Sequence, residues 1–345
     1  MLFRLLKGLK DENYRGQILL RKDNEFTILV TSSGTGSVVS VIKTLKRQNE
    51  IKLKLIAVDS DQLSAGLQLA DYGHIVPNCG DPEYIPELLK ICKEYGVSTI
   101  FPTYSKEILK IAKNKAYFDE LGVNTLLPNP ETIELCDDKR RMYDVVSELG
   151  IDVPKEYLFR TGELDLNKIN DYPLIFKPNT SSGSKGVSLV HNKEELLIAV
   201  KSNEDFILQE YCSGDEYTVD VLVDNNHDLL VSSPRIRLSV KAGQMVKGVT
   251  KNVPRLNDFC KLICKEIGAV GPGNIQFFRE GERFVFSEYN PRFAAGGLML
   301  TIEAGANIPL MAVKLANGIE CHPKAADPEI TMIRYYEEVF LGKGE

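Results

Sequence analysis

In Ser287-Glu288-Tyr289-Asn290-Pro291-Arg292, Glu288 and Asn290 stand two residues apart, so on a strand they share one face. Arg292 keeps the same parity if the chain stays extended. A carboxylate and an amide oxygen on one face are hard oxygen ligands suited to Mg2+. The strand-like runs Asn274–Phe278 and Phe284–Glu288 flank the turn Glu280-Gly281-Glu282, so a hairpin is expected, with Gln276 roughly opposite the Glu-x-Asn pair. The planar donor fork of Arg292 suits phosphate oxygens or a developing charge. A lone Glu-x-Asn is ordinarily a solvated strand face. Four such residues together, Gln276, Glu288, Asn290 and Arg292, favour a site.

Further strand-like runs precede this hairpin, at Leu174–Lys177, Gly186–Val190, Phe206–Glu210 and Tyr217–Val223. With the turn Asp224-Asn225-Asn226, they make the half after Pro154 α+β and largely antiparallel. Lys177 ends a strand and is followed by Thr180-Ser181-Ser182-Gly183-Ser184-Lys185-Gly186. Small residues let backbone N–H groups turn towards an anion, and hydroxyls add donors. No G-x-x-x-x-G-K-[ST] motif is present, so this is no Walker-type loop. On its own, such a hairpin is more often simply flexible.

Residues 27–125 read differently. Thr27–Val30, Leu53–Val58, His74–Val76 and Val97–Phe101 are short apolar runs separated by segments of helical spacing, the pattern of parallel βαβ units. Pro128 and Pro130 mark a break, and Asp137 or Asp138 can cap a helix running to Leu149. Gly34-Thr35-Gly36 with Asp59 downstream is a partial dinucleotide fingerprint whose third glycine falls on Val39. A tight βα turn without cofactor, a helix-N-terminal site for a substrate or effector, and NAD stay open there.

The 345 residues are enough for two domains or three, each with its own core. An apolar fraction of 43% and a charged fraction of 26% exclude disorder, collagen and coiled coil as global descriptions. Forty-two basic against 48 acidic residues leave −6, which gives nucleic acid no general attraction. Leu298–Leu315 is interrupted by Glu303, Asn307, Pro309 and Lys314, so no membrane span is expected. Arg4, Lys7 and Lys10 break up the apolar residues of the first ten, so residues 1–26 read as an amphipathic extension rather than a signal peptide. Seven cysteines without a C-x-x-C pair fit free thiols in a reducing cytoplasm. The four histidines show no metal-ligand spacing.

Taken together, these segments resemble the ATP-grasp superfamily of carboxylate–amine or carboxylate–thiol ligases, most of all a single synthetase unit of the carbamoyl-phosphate synthase large subunit. The resemblance runs over roughly residues 27–340. It implies an ATP-grasp fold over 128–345, with a small lid subdomain at about 152–212 and an antiparallel-sheet subdomain at about 213–340. A Rossmann-like, pre-ATP-grasp parallel-sheet domain over 27–127 would precede it, including Ala70-Asp71-Tyr72 and Asp81-Pro82-Glu83-Tyr84-Ile85.

By the same resemblance Lys139, opening a helix after Asp138, reaches the nucleotide phosphates. Lys177 contacts phosphate and the adenine edge. Ser181, Ser182, Gly183, Ser184 and Gly186 belong to a loop that closes over the phosphates. The segment with Gln209, Glu210, Tyr211 and Cys212 holds adenine through backbone groups of Glu210 and Cys212, and Glu216 takes the ribose hydroxyls. Gln276, Glu288 and Asn290 match magnesium ligands, with manganese as a substitute, and Arg292 matches the catalytic arginine beside the reacting phosphate, with Lys177 as its partner in catalysis.

The expected reaction is phosphorylation of a carboxylate by Mg-ATP to an acyl phosphate, then displacement of phosphate by an amine. Arg235 and Arg237, on one strand face, and Lys247 are candidates for the acid's carboxylate, against the alternative of a solvated edge strand. A homodimer through the N-terminal domain is a further expectation.

The chain also departs from the family. Pro102-Thr103-Tyr104-Ser105-Lys106-Glu107 keeps one acid where relatives often carry two. Phe293-Ala294-Ala295-Gly296-Gly297 lacks the hydroxyl-rich run of the carbamoyl enzymes, which weakens bicarbonate as the acid. A biotin-carboxylase-like His pair is missing as well. Two competing readings remain: a nucleotide-binding regulatory or structural protein with this fold but no turnover, and an NAD-linked oxidoreductase using Gly34, Gly36 and Asp59.

Overall fold

The computed structural model describes residues 25–157, 169–180, 186–201, 205–241 and 243–342. Nearly all of the expected N-terminal extension, and the loop residues Ser181, Ser182, Gly183 and Ser184, lie outside the described residues. By contacts the chain divides into two compact units, one ending its first stretch at Leu127 and the other beginning at Pro128.

The first unit carries β1 (Glu25–Val30), β2 (Lys52–Asp59), β3 (Tyr72–Ile75) and β4 (Val97–Phe101) in one parallel sheet of order β3-β2-β1-β4. Ile28, Leu29, Ile56, Ala57 and Val58 are all fully buried. The central runs Ile28–Val30, Leu55–Val58 and Ile100–Phe101 are covered on both faces and so read as unbroken apolar runs, whereas the edge strand β3 is largely exposed. The helix Tyr84–Tyr95 ends at Gly96, whose φ of 61° lets its N–H reach the Cys92 carbonyl. Pro309–His322 belongs to this unit too. Two hydrogen bonds tie it there: Asn124 Nδ2 donates to the Ala316 carbonyl (3.0 Å) and Asn317 Nδ2 to Thr99 Oγ1 (2.9 Å).

The second unit carries two antiparallel sheets. The smaller pairs β5 (Leu174–Pro178) with β6 (Ser188–Val190) and β7 (Phe206–Glu210), in the order β6-β5-β7. The larger contains β8 (Asp215–Val223), β9 (Leu229–Lys241), β10 (Gln244–Thr250), β11 (Gly271–Glu280), β12 (Arg283–Asn290) and β13 (Thr331–Ile333), in the order β12-β11-β8-β9-β10-β13. β9 is therefore an interior strand, which corrects the edge-strand alternative for Arg235 and Arg237.

The period-two pattern of this sheet separates core from site. Tyr217, Val219, Val221, Ile275, Phe277 and Tyr289 turn into a core shared with Leu256, Cys260, Ile263 and Cys264 of the helix Pro254–Glu266. Glu216, Thr218, Asp220, Asn274 and Gln276 take the opposite parity. In β12 the alternation changes phase. Gln276 pairs with Glu288, but Phe277 pairs with Phe286, leaving Ser287 as the extra residue of a β-bulge. Phe284 and Phe286 thus point into the core while Glu288 and Asn290, at the same parity, point away from it. Without the bulge, Glu288 would share the face of the two phenylalanines.

Candidate active site

The polar face of the large sheet lines a cavity of about 430 Å³ within the second unit. Gln276, Glu288, Asn290 and Arg292 all line it, as do Lys139, Lys177, Gln209, Glu216, Arg235 and Arg237. Gln276 lies directly across from Glu288 and Asn274 from Asn290, so the expected hairpin opposition is realised. Asn290 Nδ2 donates to Glu288 Oε1 (2.9 Å), and Arg292 Nη2 donates to Asn290 Oδ1 (3.0 Å). Asn274 Nδ2 donates to the Arg292 carbonyl (3.0 Å), fixing the chain just past the strand. Asn274 is a cavity residue that the motif reading missed, although it stands two residues from Gln276 on the same face.

The cationic wall comes from the helix Lys139–Glu148 and from β5. Asp138 caps that helix, its side chain accepting from Arg141 N–H (3.1 Å). Lys139 thereby starts the helix, and its Nζ donates to the Asn179 carbonyl (3.0 Å). Burial lowers the Lys139 pKa against the raising influence of Glu288. Lys177 is buried to the same degree. Burial, and then the neighbouring Lys139, bring its pKa down to about 8. Burial also lowers that of Arg292, with Glu288 and Asp137 opposing.

The donor set suits magnesium. Among the described residues no group of three His, Cys, Asp or Glu side chains could hold a metal ion. One carboxylate and two amide carbonyls remain, Glu288 with Gln276 and Asn290. That is a sparse set of hard oxygens, and Mg2+ that takes its other ligands from phosphates and water needs no more. The cavity thus brings together basic groups, Lys139, Lys177 and Arg292, and the hard oxygens of Gln276, Glu288 and Asn290.

Other expected residues are placed differently. Arg235 is buried and bidentate on Asp220, with Nε to Oδ2 at 2.9 Å and Nη2 to Oδ1 at 3.1 Å, and Thr301 Oγ1 donates to the same carboxylate. Arg237 pairs with Glu216 and donates to the Gly243 carbonyl (2.8 Å). Neither guanidinium is the unpaired cation that an acid substrate would seek. Lys247 is exposed, faces β13, and does not line the cavity.

Glu210, Tyr211 and Cys212 are also off its lining. Glu210 gives its N–H to the Lys155 carbonyl (2.9 Å), so a base contact from this residue would use its carbonyl. Burial pushes the Cys212 thiol up to about 12, which keeps it protonated and unreactive near neutrality. Gly186, at φ 74°, sits where a Cβ would meet Pro178 Cγ at 2.9 Å. In the first unit, Asp59 spends Oδ2 on Gly34 N–H (2.8 Å) and Oδ1 on Asp61 N–H (3.0 Å). The carboxylate that an NAD ribose would need is thus already bonded to its own chain.

Residues 136–296 match the ATP-grasp domain, and residues 28–126 match the PylC-like, N-terminal domain. The chain therefore carries an ATP-grasp domain behind a PylC-like N-terminal domain. It is 28% identical over 272 residues to the formate-dependent phosphoribosylglycinamide formyltransferase of Prochlorococcus marinus subsp. pastoris (strain CCMP1986 / NIES-2087 / MED4), covering 74% of this chain and 68% of that one. It is 25% identical over 230 residues to the carbamoyl phosphate synthase large chain of Thermoplasma acidophilum, covering 61% of this chain but 22% of that one. Among solved structures, N5-carboxyaminoimidazole synthetase from Staphylococcus aureus complexed with ADP superposes with a TM-score of 0.69 at 15% identity, over 89% of this chain and 81% of that one. Among the described residues no helix is long and apolar enough to cross a membrane.

Proposed function

We propose that this protein is an ATP-dependent carboxylate–amine ligase that passes through an acyl phosphate. The observation that carries the reading is the convergence of Gln276, Glu288, Asn290 and Arg292 on one cavity with Lys139 and Lys177. Phosphoryl transfer asks a protein mainly to position groups and neutralise charge. Mg2+, held by Glu288 with Gln276 and Asn290, would screen the ATP phosphates. Lys139 and Lys177 add fixed charge, Glu216 takes the ribose hydroxyls, and the segment Gln209–Cys212 takes the base. Arg292, anchored through Asn290, stabilises the transferring phosphoryl group.

The acid is the finer part of the proposal. Beyond Arg292 the cavity is lined by Ala294, Ala295, Gly296 and Gly297, beside two arginines already neutralised by Asp220 and Glu216. Such a wall fits a small monocarboxylate better than a second anionic group. Formate, named in the formyltransferase relatives, is the first acid to try, and bicarbonate, the acid of a carbamoyl-phosphate-like reaction, the second. We place the enzyme in the cytoplasm.

The test is phosphate release from Mg-ATP with formate, bicarbonate and pooled carboxylic acids, each with and without pooled amines. Release that requires one acid and one amine supports the ligase. Nucleotide binding without acid-dependent release under every pool replaces it with a nucleotide-binding protein that does not turn over.

A further inference from the structure

Behind the cavity wall runs a buried chain of hydrogen bonds that no motif predicts. Lys177 Nζ donates to the Tyr143 hydroxyl at 2.8 Å. That hydroxyl lies 3.0 Å from Gln209 Oε1 and 3.3 Å from the Ser287 carbonyl. A phenol has one proton to give and two lone pairs to accept with. The shorter contact takes the proton, which leaves the oxygen free to accept from Lys177. Burial raises the Tyr143 pKa well above its ordinary value, so the proton stays on the phenol. The ring is held independently of these bonds, edge-on against Phe286 at 6.2 Å within the core.

The consequence falls on two cavity residues. Lys177 and Gln209 line the cavity, and Tyr143 does not. Gln209 spends Oε1 on Tyr143, so the polar group it has left for the cavity is its Nε2 amide. Resting on the nucleotide reading above, we propose that Tyr143 is a positioning residue of the nucleotide site, holding the Lys177 ammonium and the Gln209 carboxamide so that both offer N–H donors to the nucleotide.

The contact also bears on the charge of Lys177. The groups acting on that ammonium are Lys139, which opposes its charge, and Glu288, Cys212 and Glu156, which favour it. Tyr143 adds the buried acceptor. Removing it leaves a desolvated ammonium with one bond fewer, which lowers the Lys177 pKa further.

The test is Tyr143→Phe in the full chain, which keeps the ring and removes the hydroxyl. Mg-ADP affinity is measured by calorimetry from pH 6.5 to 9.5, with Lys177→Met and the double variant alongside. The expected result is about a tenfold weaker affinity at pH 7, the size of one charge-assisted hydrogen bond. The alkaline fall in affinity moves to lower pH, and in the Lys177→Met background the substitution adds little.

Urea unfolding of the nucleotide-free chain supplies a second readout. A lysine with a lowered native pKa makes stability rise with pH between its native and unfolded values. In Tyr143→Phe that rise begins at lower pH, and in the Lys177→Met background this shift vanishes. If the parent chain binds no Mg-ADP, the nucleotide reading falls, while the unfolding cycle still decides whether Tyr143 holds Lys177. An affinity loss that is flat with pH, a loss undiminished in the Lys177→Met background, or no change at all would each overturn the assignment.

Discussion

Arg235 and Asp220 meet as a bidentate ion pair with their side chains 2% and 1% exposed, in the wall of the cavity and beneath Gly297. A Cβ on Gly297 would lie 2.2 Å from Arg235 Cζ. The pair therefore needs both its carboxylate and a glycine above it. Breaking such a pair strands a buried charge, at a typical cost of about 3–5 kcal/mol. Arg235→Ala and Asp220→Asn are accordingly expected to lose stability on this scale in urea unfolding. Gly297→Ala should lose part of it by displacing the guanidinium. A selective rise in the acid KM with unchanged stability in Arg235→Ala would return Arg235 to the substrate.

Glu288→Gln removes the single carboxylate of the proposed metal set and keeps its shape. Asn290 Nδ2 can still donate to the Oε1 of the new side chain, so the fold should stand. Acid-dependent phosphate release should fall by at least about a hundredfold, as when a positioned charge is removed from a transition state. Phosphate release and the thermal melt, taken on one preparation, check both halves. Full activity in this variant would remove Glu288 from the metal site.

Much of this arrangement is legible in the residues because it rests on local rules. The parallel sheet of the first unit shows as apolar runs between helical segments, and the cap at Asp138 shows as an acid before a helical pattern. Even the site quartet is visible as parity within two strands. What stays hidden is set by register and by partners distant in sequence. The bulge at Ser287 makes Phe286 and Glu288 face opposite ways, and alternation alone would put them together. Asp220 lies 15 residues before Arg235, and nothing near either of them announces the pairing. Two arginines on one strand face look like an anion site until the neighbouring strand is seen to supply Asp220 and Glu216. Tyr143 looks like an ordinary core aromatic of an amphipathic helix, and only the fold brings Lys177 and Gln209 to its hydroxyl.

Glu107 is a buried acid that the proposed chemistry does not use. Its Oε2 accepts from Thr31 Oγ1 at 2.7 Å, and burial raises its pKa over the opposing bond from Thr31. A carboxyl whose pKa is higher in the native than in the unfolded chain binds protons more readily when folded. Its contribution therefore falls as pH rises from the ordinary carboxylate value through the native one. Glu107→Gln keeps an acceptor for Thr31 and carries no charge. The variant should gain on the parent as pH rises from 5 to 8, because it has no carboxylate to ionise in the buried site. Urea unfolding at the two pH values checks this. A variant less stable than the parent at pH 8 would mean that the carboxylate itself holds the turn after β1.

Asp138 links helix formation to the cationic wall. Its side chain caps the helix by accepting from Arg141 N–H, and the first helical residue is Lys139, whose Nζ reaches the Asn179 carbonyl. The next residue, Arg140, ties the same turn to Glu156 through Nε at 2.9 Å. Asp138→Ala should cost about 1 kcal/mol of stability, the usual value of an N-cap. Fraying of that first turn would also loosen Lys139, so Mg-ADP affinity should fall by a few-fold at the same time. Asp138→Asn separates the cap from the charge, because asparagine caps about as well as aspartate. If the cap is what matters, Asn restores both stability and affinity while Ala restores neither. If Asn restores stability alone, the negative charge beside Lys139 contributes to nucleotide binding in its own right.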